Sequence, residues 1–188
     1  INSAFVDTLI YSIGWWGPDR GHGHGIYTQN HPGGGKLIQN VISSGNYSTC
    51  GKIYSATANL KDYTVDGMTC APSLDPRFLV GGETGTADNI LIKNSLFYGT
   101  QLSIGNHAPI TPTGVITVTN NTIAYPTGLP FVATYWKQID VSNNTMIGGG
   151  ASDPANRFLI KTVNAPPAWQ YSGNAYHTLA PWSLFANA

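Results

Sequence analysis

The chain has 188 residues, with nine basic and nine acidic side chains, so its formal net charge is zero. Only 10% of its residues are charged, against roughly 25% in an average globular protein. This length predicts one domain, and the balanced charge argues against nucleic acid as a partner. No stretch approaches the roughly 20 apolar residues of a membrane span, so membrane insertion is not predicted. The chain opens at Ile1 without a methionine or a signal peptide, as expected of a processed extracellular protein.

The first elements in chain order are a β-like segment at Phe5–Tyr11 and a long glycine-punctuated loop over residues 12–25. Tryptophans beside charged groups on a surface indicate a binding role or packing on a neighbour. We therefore treat the polar and aromatic residues of this loop as candidates: Trp15, Trp16, Asp19, Arg20, His22 and His24. By alternation both histidines point to the same side as Ile26, so the coil interior is an alternative location for them. The loop matches no recognised zinc or copper ligand motif, so we predict neither a metal nor another cofactor.

Beyond this loop one pattern repeats six times. Apolar anchors at intervals of 27, 27, 24, 28 and 28 residues are Ile26, Ile53, Val80, Ile104, Val132 and Ile160. Each is followed, 12 to 17 residues later, by a corner residue: Asn40, Gly67, Asn94, Asn121, Asn144 and Asn174. A repeat of this length predicts a solenoid.

One copy serves as the example of a coil. Residues 25–29 alternate as a first strand, residues 30–35 have turn chemistry, and Lys36–Gln39 forms a second strand. Asn40 makes a tight corner before a third strand at Val41–Ser43, and residues 44–50 return to the next copy. Each strand then pairs in parallel with its equivalent in the next coil, and the rest of the coil is the crossover.

Four segments carry a resemblance to a known family: Lys36–Ile42, Asn89–Leu96, Val115–Ile123 and Gln138–Met146. Their strand–corner–asparagine–strand arrangement resembles the right-handed parallel β-helix of the pectate-lyase-like superfamily. The expected fold is therefore all-β: a single-stranded right-handed parallel β-helix of about six to seven coils over residues 1–188. The resemblance is specific for fold and weak for activity, because that superfamily holds lyases, hydrolases, adhesins and tailspikes.

The corner asparagines have a structural explanation. A sharp corner in the left-handed region favours Asn or Gly, and stacked amides can hydrogen-bond along the axis. We expect one ladder, with Asp7 extending it into a first incomplete coil; its asparagines are Asn40, Asn94, Asn121, Asn144 and Asn174.

The two cysteines, Cys50 and Cys70, are 20 residues apart. We expect them in neighbouring loops on one side of the solenoid, joined by a disulfide, and hence in an oxidising compartment. Two buried free thiols remain the alternative.

In the resembled enzymes the cleft runs along the outer face of the first sheet, which here contains the anchors. Alternation predicts three outward columns on this face. The first is Gly25, Lys52, Leu79, Ser103, Phe131 and Leu159; the second is Tyr27, Tyr54, Gly81, Gly105, Ala133 and Lys161; the third is Gln29, Ala56, Glu83, His107, Tyr135 and Val163.

The columns suggest two kinds of site. Tyr27 and Tyr54 would stack as an aromatic platform for sugar rings, or as a cross-strand pair that only stabilises the sheet. Glu83 and His107, near Lys52, could supply acid–base catalysis, or be solvated charges on a polar face. The candidate catalytic residues are Lys52, Glu83, His107, Arg20 and His22; the candidate binding residues are Trp15, Trp16, Asp19, Tyr27, Gln29, Tyr54 and Tyr135.

Two functions remain open. The first is an extracellular protein that binds polysaccharide along this face and, if it is an enzyme, cleaves it as a lyase or a hydrolase. The second is a structural or adhesive β-helix that self-associates. At the C-terminal end, residues 175–188 offer a cap through the apolar segment Trp182–Phe185, whereas the N-terminal coil has no comparable cap. More chain or another molecule is therefore expected over the N-terminal coil.

Overall fold

The computed structural model describes residues 3–30, 34–55, 58–82, 86–105, 111–112, 114–134, 136–149, 158–163, 168–179 and 183–187. Over these residues the chain is all-β and winds into a parallel solenoid with three sheets, as predicted. In the described chain each of the three sheets contains a run of seven strands, each paired with the next along the solenoid. Five inner turns are therefore paired on both sides, against the six to seven coils predicted, and one further layer at each end is paired on one side.

The strands are grouped by sheet, in the order in which a coil passes through them. The first sheet contains β5 (Ile26–Thr28), β8 (Thr49–Ser55), β11 (Asp75–Gly82), β14 (Gln101–Ile104), β18 (Phe131–Thr134), β21 (Phe158–Val163) and β24 (Ser183–Asn187). The second sheet contains β1 (Ser3–Val6), β6 (Lys36–Gln39), β9 (Leu60–Asp66), β12 (Thr86–Lys93), β16 (Val115–Thr119), β19 (Gln138–Ser142) and β22 (Gln170–Ser172), and β15 (Thr111–Pro112) also pairs with β12.

The third sheet contains β2 (Leu9–Tyr11), β7 (Ile42–Ser44), β10 (Thr69–Cys70), β13 (Leu96–Tyr98), β17 (Thr122–Ala124), β20 (Thr145–Gly148) and β23 (Ala175–Thr178). A separate antiparallel hairpin is formed by β3 (Trp15–Trp16) and β4 (Gly21–His22). The segment expected as a C-terminal cap thus contains β23 and β24, which are strands of the stack.

The core lies inside the coils, where one side chain from each turn stacks on the next. In the second sheet one buried column contains Ile38, Val65, Ile92, Val118 and Val141. These β-branched residues fit a pleated, buried surface. Each such side chain contributes about 1.5–3 kcal/mol on full burial.

The first sheet differs from the prediction in two places, and the first is the register of β5. Ile26 stacks on Gly51 instead of Ile53, because β5 pairs with β8 two residues earlier. Thr28 therefore continues the inward column of Ile53, Val80 and Ile104.

Further along the sheet, the predicted anchor Val132 is only half-buried, while Phe131 and Leu159, both predicted to face outward, are buried. Phe131 buries more apolar surface than valine would at this position, and Phe131 and Ala133 take the interior sites. In β18 the residues that face the core are therefore one position away from those that alternation predicted.

The asparagine ladder is two columns, not one. Asn40 and Asn94 lie at exposed corners with positive φ, and Asn40 donates to Asp7, also at positive φ, with an Nδ2–Oδ1 distance of 3.0 Å. Asn121, Asn144 and Asn174 instead follow the corner and point inward. Their predicted grouping with Asn40 and Asn94 was wrong, because Asn120 and Asn143 occupy the equivalent corners.

The inner column is the true amide ladder. Asn121 donates through Nδ2 to Oδ1 of Asn144 at 2.9 Å, and Asn144 donates to Asn174 at 3.0 Å. The same amides donate to backbone carbonyls of the preceding turn, including that of Val118. The ladder thus satisfies buried polar groups that would otherwise be costly.

The disulfide between Cys50 and Cys70 is confirmed, with a Cα–Cα distance of 5.8 Å. Its predicted location was wrong in one respect: both residues lie in strands, β8 and β10, and both are buried in the core. The cross-link therefore joins the first and third sheets through the interior of the solenoid.

Candidate functional site

The glycine-rich loop at the start of the chain is an antiparallel hairpin. Trp15 pairs with His22 and Trp16 with Gly21, and the Gly17 amide donates to the Arg20 carbonyl at 2.9 Å to close the turn. The two indoles remain 62% and 65% exposed. The sequence indicated this loop as a candidate site, but its alternation did not reveal the hairpin.

Glycines hold the hairpin close to the coil. Gly14 and Gly23 have φ of 106° and 112°, and a Cβ on Gly14 would overlap the carbonyl oxygen of His22. The base is tied to the return segment because the Tyr47 amide donates to Ile13 at 3.0 Å and the Ser48 amide to Gly23 at 3.1 Å. Larger residues at these glycines would separate the two strands.

Four side chains organise the exposed face of the hairpin. The rings of Trp15 and His22 are stacked, and His22 Nε2 lies 2.9 Å from Asp19 Oδ1. Arg20 Nε lies 3.6 Å from the other oxygen of Asp19. The hydrogen bond from His22 is the main reason that the pKa of Asp19 lies below its usual value.

A polar groove of about 560 Å³ separates the hairpin from the outer face of the first sheet. Strands β5, β8 and β11 form its floor, and the β4 side of the hairpin forms one wall. The described lining residues are Arg20, Gly21, His22, Gly23, His24, Tyr27, Ser48, Thr49, Lys52, Tyr54, Asp75, Arg77 and Leu79.

Lys52 lies at the centre of the groove floor. Its ammonium is 3.9 Å from the ring centroid of Tyr54 and 5.7 Å from that of Tyr27, within the range of cation–π attraction. In the register of the sheet Lys52 is the direct neighbour of both Tyr27 and Leu79.

The predicted stacking of Tyr27 on Tyr54 was therefore wrong in register, because Tyr27 pairs with Lys52. Their rings still approach diagonally, with centroids 6.5 Å apart and planes inclined by 52°. Tyr27 is 48% exposed, whereas Tyr54 is buried. The aromatic surface available to a ligand on this floor is thus the Tyr27 ring.

His24 lines the groove and not the coil interior, and so does His22, so an interior place is excluded for both. The ring of His24 lies 5.5 Å from that of Tyr27, and its Nδ1 is 2.7 Å from the Thr49 hydroxyl. Burial is the main cause that lowers the pKa of His24, and the charge of Lys52 adds to it. Arg20 and Arg77 act in the same direction, and Asp75 opposes them.

Sequence reasoning missed an ion pair at the far wall. Arg77 donates to both carboxylate oxygens of Asp75, through Nε and Nη2, at 2.7 Å each. This hydrogen bonding raises the pKa of Arg77 further. The available signal was the spacing, since residues two apart on a strand share a face.

The other predicted residues are distributed as follows. Gln29 follows β5 outside the described groove lining, and its Oε1 is buried without a hydrogen-bond partner among the described residues. Glu83, His107 and Tyr135 lie outside the described residues, so the proposed Glu83–His107 pair stays a prediction. Asp19 contacts the groove through His22.

Within the described ranges no group of three or more His, Cys, Asp or Glu side chains could hold a metal ion. The same part of the chain contains no helix long and apolar enough to cross a membrane. Comparison with known proteins finds no matching family model, no matching curated protein and no matching solved structure. The groove itself is therefore the feature from which a function can be inferred.

Proposed function

We propose that this protein binds polysaccharide in the groove between the hairpin and the first sheet. The observation that carries the proposal is the hairpin itself: its β4 strand lines the polar groove, while Trp15 and Trp16 on the paired strand β3 are exposed. Exposed indoles are unfavourable surface unless they bind something. Their flat faces suit the apolar faces of sugar rings, while hydroxyls and amides suit the sugar hydroxyls.

The dimensions of the groove support a ligand of a few sugar units. Its volume of about 560 Å³ falls within the range of roughly 300–1,000 Å³ typical of small-molecule sites. Tyr27 lies on the floor beside Lys52, so a sugar entering from the hairpin would meet a second aromatic surface. A longer polymer would extend over the outer face of the first sheet.

Cleavage is the second part of the proposal. The groove brings together Lys52, Arg20, His22 and His24, which include an amine and two imidazoles able to move a proton. The carboxylate on the wall, Asp75, is engaged by Arg77. Two-carboxylate hydrolysis needs two acidic groups at the bond, and Asp75 is one such group in the described lining, so the chemistry of the new chain ends decides between hydrolysis and elimination.

Membership of the pectate-lyase-like superfamily and an extracellular location belong to the same proposal. The parallel solenoid supports the first. The Cys50–Cys70 disulfide supports the second, because such bonds persist in oxidising compartments.

Calorimetric titration of native protein with a panel of polysaccharides tests the proposal. Trp15→Ala and Trp16→Ala are expected to weaken binding about tenfold each, since an aromatic contact of this size is worth on the order of 1 kcal/mol or more. Tyr98→Ala is the matched control, because Tyr98 is an exposed aromatic residue on the third sheet. Equal losses in all three variants, or no binding by the native protein, would refute the site. New unsaturated or reducing ends would identify an enzyme.

Self-association is the second candidate, and a specific observation favours it. Phe5 continues the inward column of Ile38 and Val65, yet it is 47% exposed, and Leu9 is 71% exposed. No strand of the described chain lies beyond β1 and β2, so a second copy could pair there. Sedimentation at several concentrations tests this: a mass that rises with concentration, and falls in Leu9→Lys, supports it, whereas a constant monomer mass refutes it.

A further inference from the structure

We infer that the groove takes a neutral, hydroxyl-rich polysaccharide and discriminates against polymers that carry carboxylate or sulfate groups. This inference rests on the proposed function and names the substrate class of the same groove. It is carried by how the charged side chains of the groove are already paired with one another.

The first pairing closes the far wall. A guanidinium recognises a carboxylate or a sulfate by donating two parallel hydrogen bonds. In Arg77 the Nε and Nη2 donors both point to Asp75, at 2.7 Å. An anionic sugar would meet a guanidinium whose charge is offset by Asp75 and whose Nε–Nη2 edge is already engaged, whereas a neutral sugar needs only single hydrogen bonds at the outer edges of the pair.

The second pairing lies on the hairpin. The carboxylate of Asp19 contacts both His22, with Oδ1 2.9 Å from Nε2, and Arg20, with Oδ2 3.6 Å from Nε. A carboxylate shared by two cationic or potentially cationic groups lowers the potential that either would present to an anion. The hairpin wall is thus close to neutral while it still offers hydrogen-bond donors.

The floor of the groove is also poor in net charge. The pKa of His24 is lowered by burial, so its imidazole is neutral near pH 7 and can bond hydroxyl groups. Lys52 has its ammonium against the rings of Tyr27 and Tyr54. The fixed charges of the described groove and its rim are three cations, Arg20, Lys52 and Arg77, against two carboxylates, Asp19 and Asp75, which leaves a difference of one.

An acidic polymer carries charge along its whole length, and a site built for it needs a cation for most of its sugars. One excess positive charge in a chain of zero net charge does not provide that. The remaining surface suits neutral sugars: the Tyr27 ring, the neighbouring indole of Trp15 on His22, and the hydroxyl of Ser48.

The test compares neutral and acidic polymers at two salt concentrations. Native protein is titrated with mixed-linkage β-glucan and galactomannan, and with polygalacturonate and chondroitin sulfate, at about 50 mM and about 500 mM NaCl. Because salt screens exposed charges, we expect a neutral polymer to bind with an affinity that changes by less than about twofold. We expect each acidic polymer to bind at least about tenfold more weakly.

A gain-of-function variant makes the test sharper. Asp75→Asn removes the carboxylate that occupies Arg77, so it should add salt-sensitive binding of polygalacturonate. Asp140→Asn is the matched control, because Asp140 lies on the outer face of the second sheet, and it should change nothing. Far-ultraviolet circular dichroism checks that both variants fold.

The outcomes separate the two proposals. Preferential, steeply salt-dependent binding of an acidic polymer by the native protein would overturn the neutral class while leaving the binding groove in place. Binding of no polymer at all would overturn both. Neutral binding that is insensitive to salt, with acidic binding gained only in Asp75→Asn, supports both.

Discussion

The indole of Trp15 lies parallel to the imidazole of His22, with ring centroids 5.1 Å apart and planes inclined by 13°. His22 is in turn held by Asp19. The hairpin therefore presents one tryptophan with a fixed orientation, because one face of its ring is occupied and the other is left for a ligand. Trp16, which pairs with Gly21, stacks on no other ring among the described residues and is the less constrained of the two.

Removing the imidazole should loosen Trp15 without disturbing the coils. In His22→Ala we expect the near-ultraviolet circular dichroism of the indoles to weaken. Polysaccharide affinity should fall about threefold, equivalent to about 0.7 kcal/mol, because an aromatic pair is worth roughly 0.5–1.5 kcal/mol. The control is His177→Ala, an exposed histidine on β23. An unchanged spectrum and affinity in His22→Ala would contradict the role given to this stack.

His24 makes stability depend on pH. Its pKa in the folded protein is lowered from 6.5, so between the two values the unfolded chain binds more protons than the folded one. The free energy of unfolding is then greatest above about pH 6.5 and falls as the pH drops through the lowered pKa. Urea unfolding at pH 7.5, 6.5 and 5.5 measures this slope.

The comparison that isolates His24 is between His24→Gln and His177→Gln. We expect the first variant to lose part of the decrease in stability on acidification and the second to keep all of it. An identical pH slope in the native protein and in His24→Gln would show that the histidine titrates alike in both states.

The inner amide ladder should contribute more to stability than the exposed corners. Asn144→Ala leaves the Val118 carbonyl and the Asn121 amide without their buried partners. We expect a loss of about 3 kcal/mol, since each unsatisfied buried group costs about 1–3 kcal/mol. Asn120→Gly, at an exposed corner with φ of 56°, should cost less than about 1 kcal/mol. Urea unfolding that ranks the two variants equally would contradict the assignment of separate columns.

The disulfide closes a loop of 20 residues and should stabilise the fold by about 3 kcal/mol through the entropy of the unfolded chain. The Cys50→Ala/Cys70→Ala double variant is therefore expected to unfold at a lower urea concentration than the native protein. Adding a phosphine reductant during unfolding should lower the midpoint of the native protein and leave that of the variant unchanged. A native midpoint that ignores the reductant would argue against a stabilising role.

The sequence was sufficient to predict the stacking of parallel strands, because spacing and alternation report directly which residues face a core. Lys36–Gln39 is found as predicted. Register failed at Ile26 and Val132, since alternation defines a face but does not fix which residue of the next coil lies opposite. For the ladder, the distances of Asn121 and Asn144 from their preceding apolar anchors are irregular, and this irregularity was the available sign of a second column.

The candidate site was predicted only in part. Composition indicated Trp15, Trp16 and His22 as candidates, because they belong to an unusual cluster of aromatic and charged residues in one loop. All three lie on the hairpin. The pairing of Asp75 with Arg77 comes from another coil, and no local pattern links it to the hairpin. Assembly of a groove from three coils depends on register, which is the quantity that single-sequence patterns specify least.

Hydrogen exchange with and without a saturating neutral polysaccharide locates the ligand on the chain, and so decides whether the groove is the binding site. Binding in the groove should slow exchange in residues 14–24, 48–54 and 75–79, which form the hairpin and the groove, and leave residues 42–44 and 96–98 on the third sheet unchanged. Protection confined to residues 3–11, or absent from the hairpin and the groove, would contradict it.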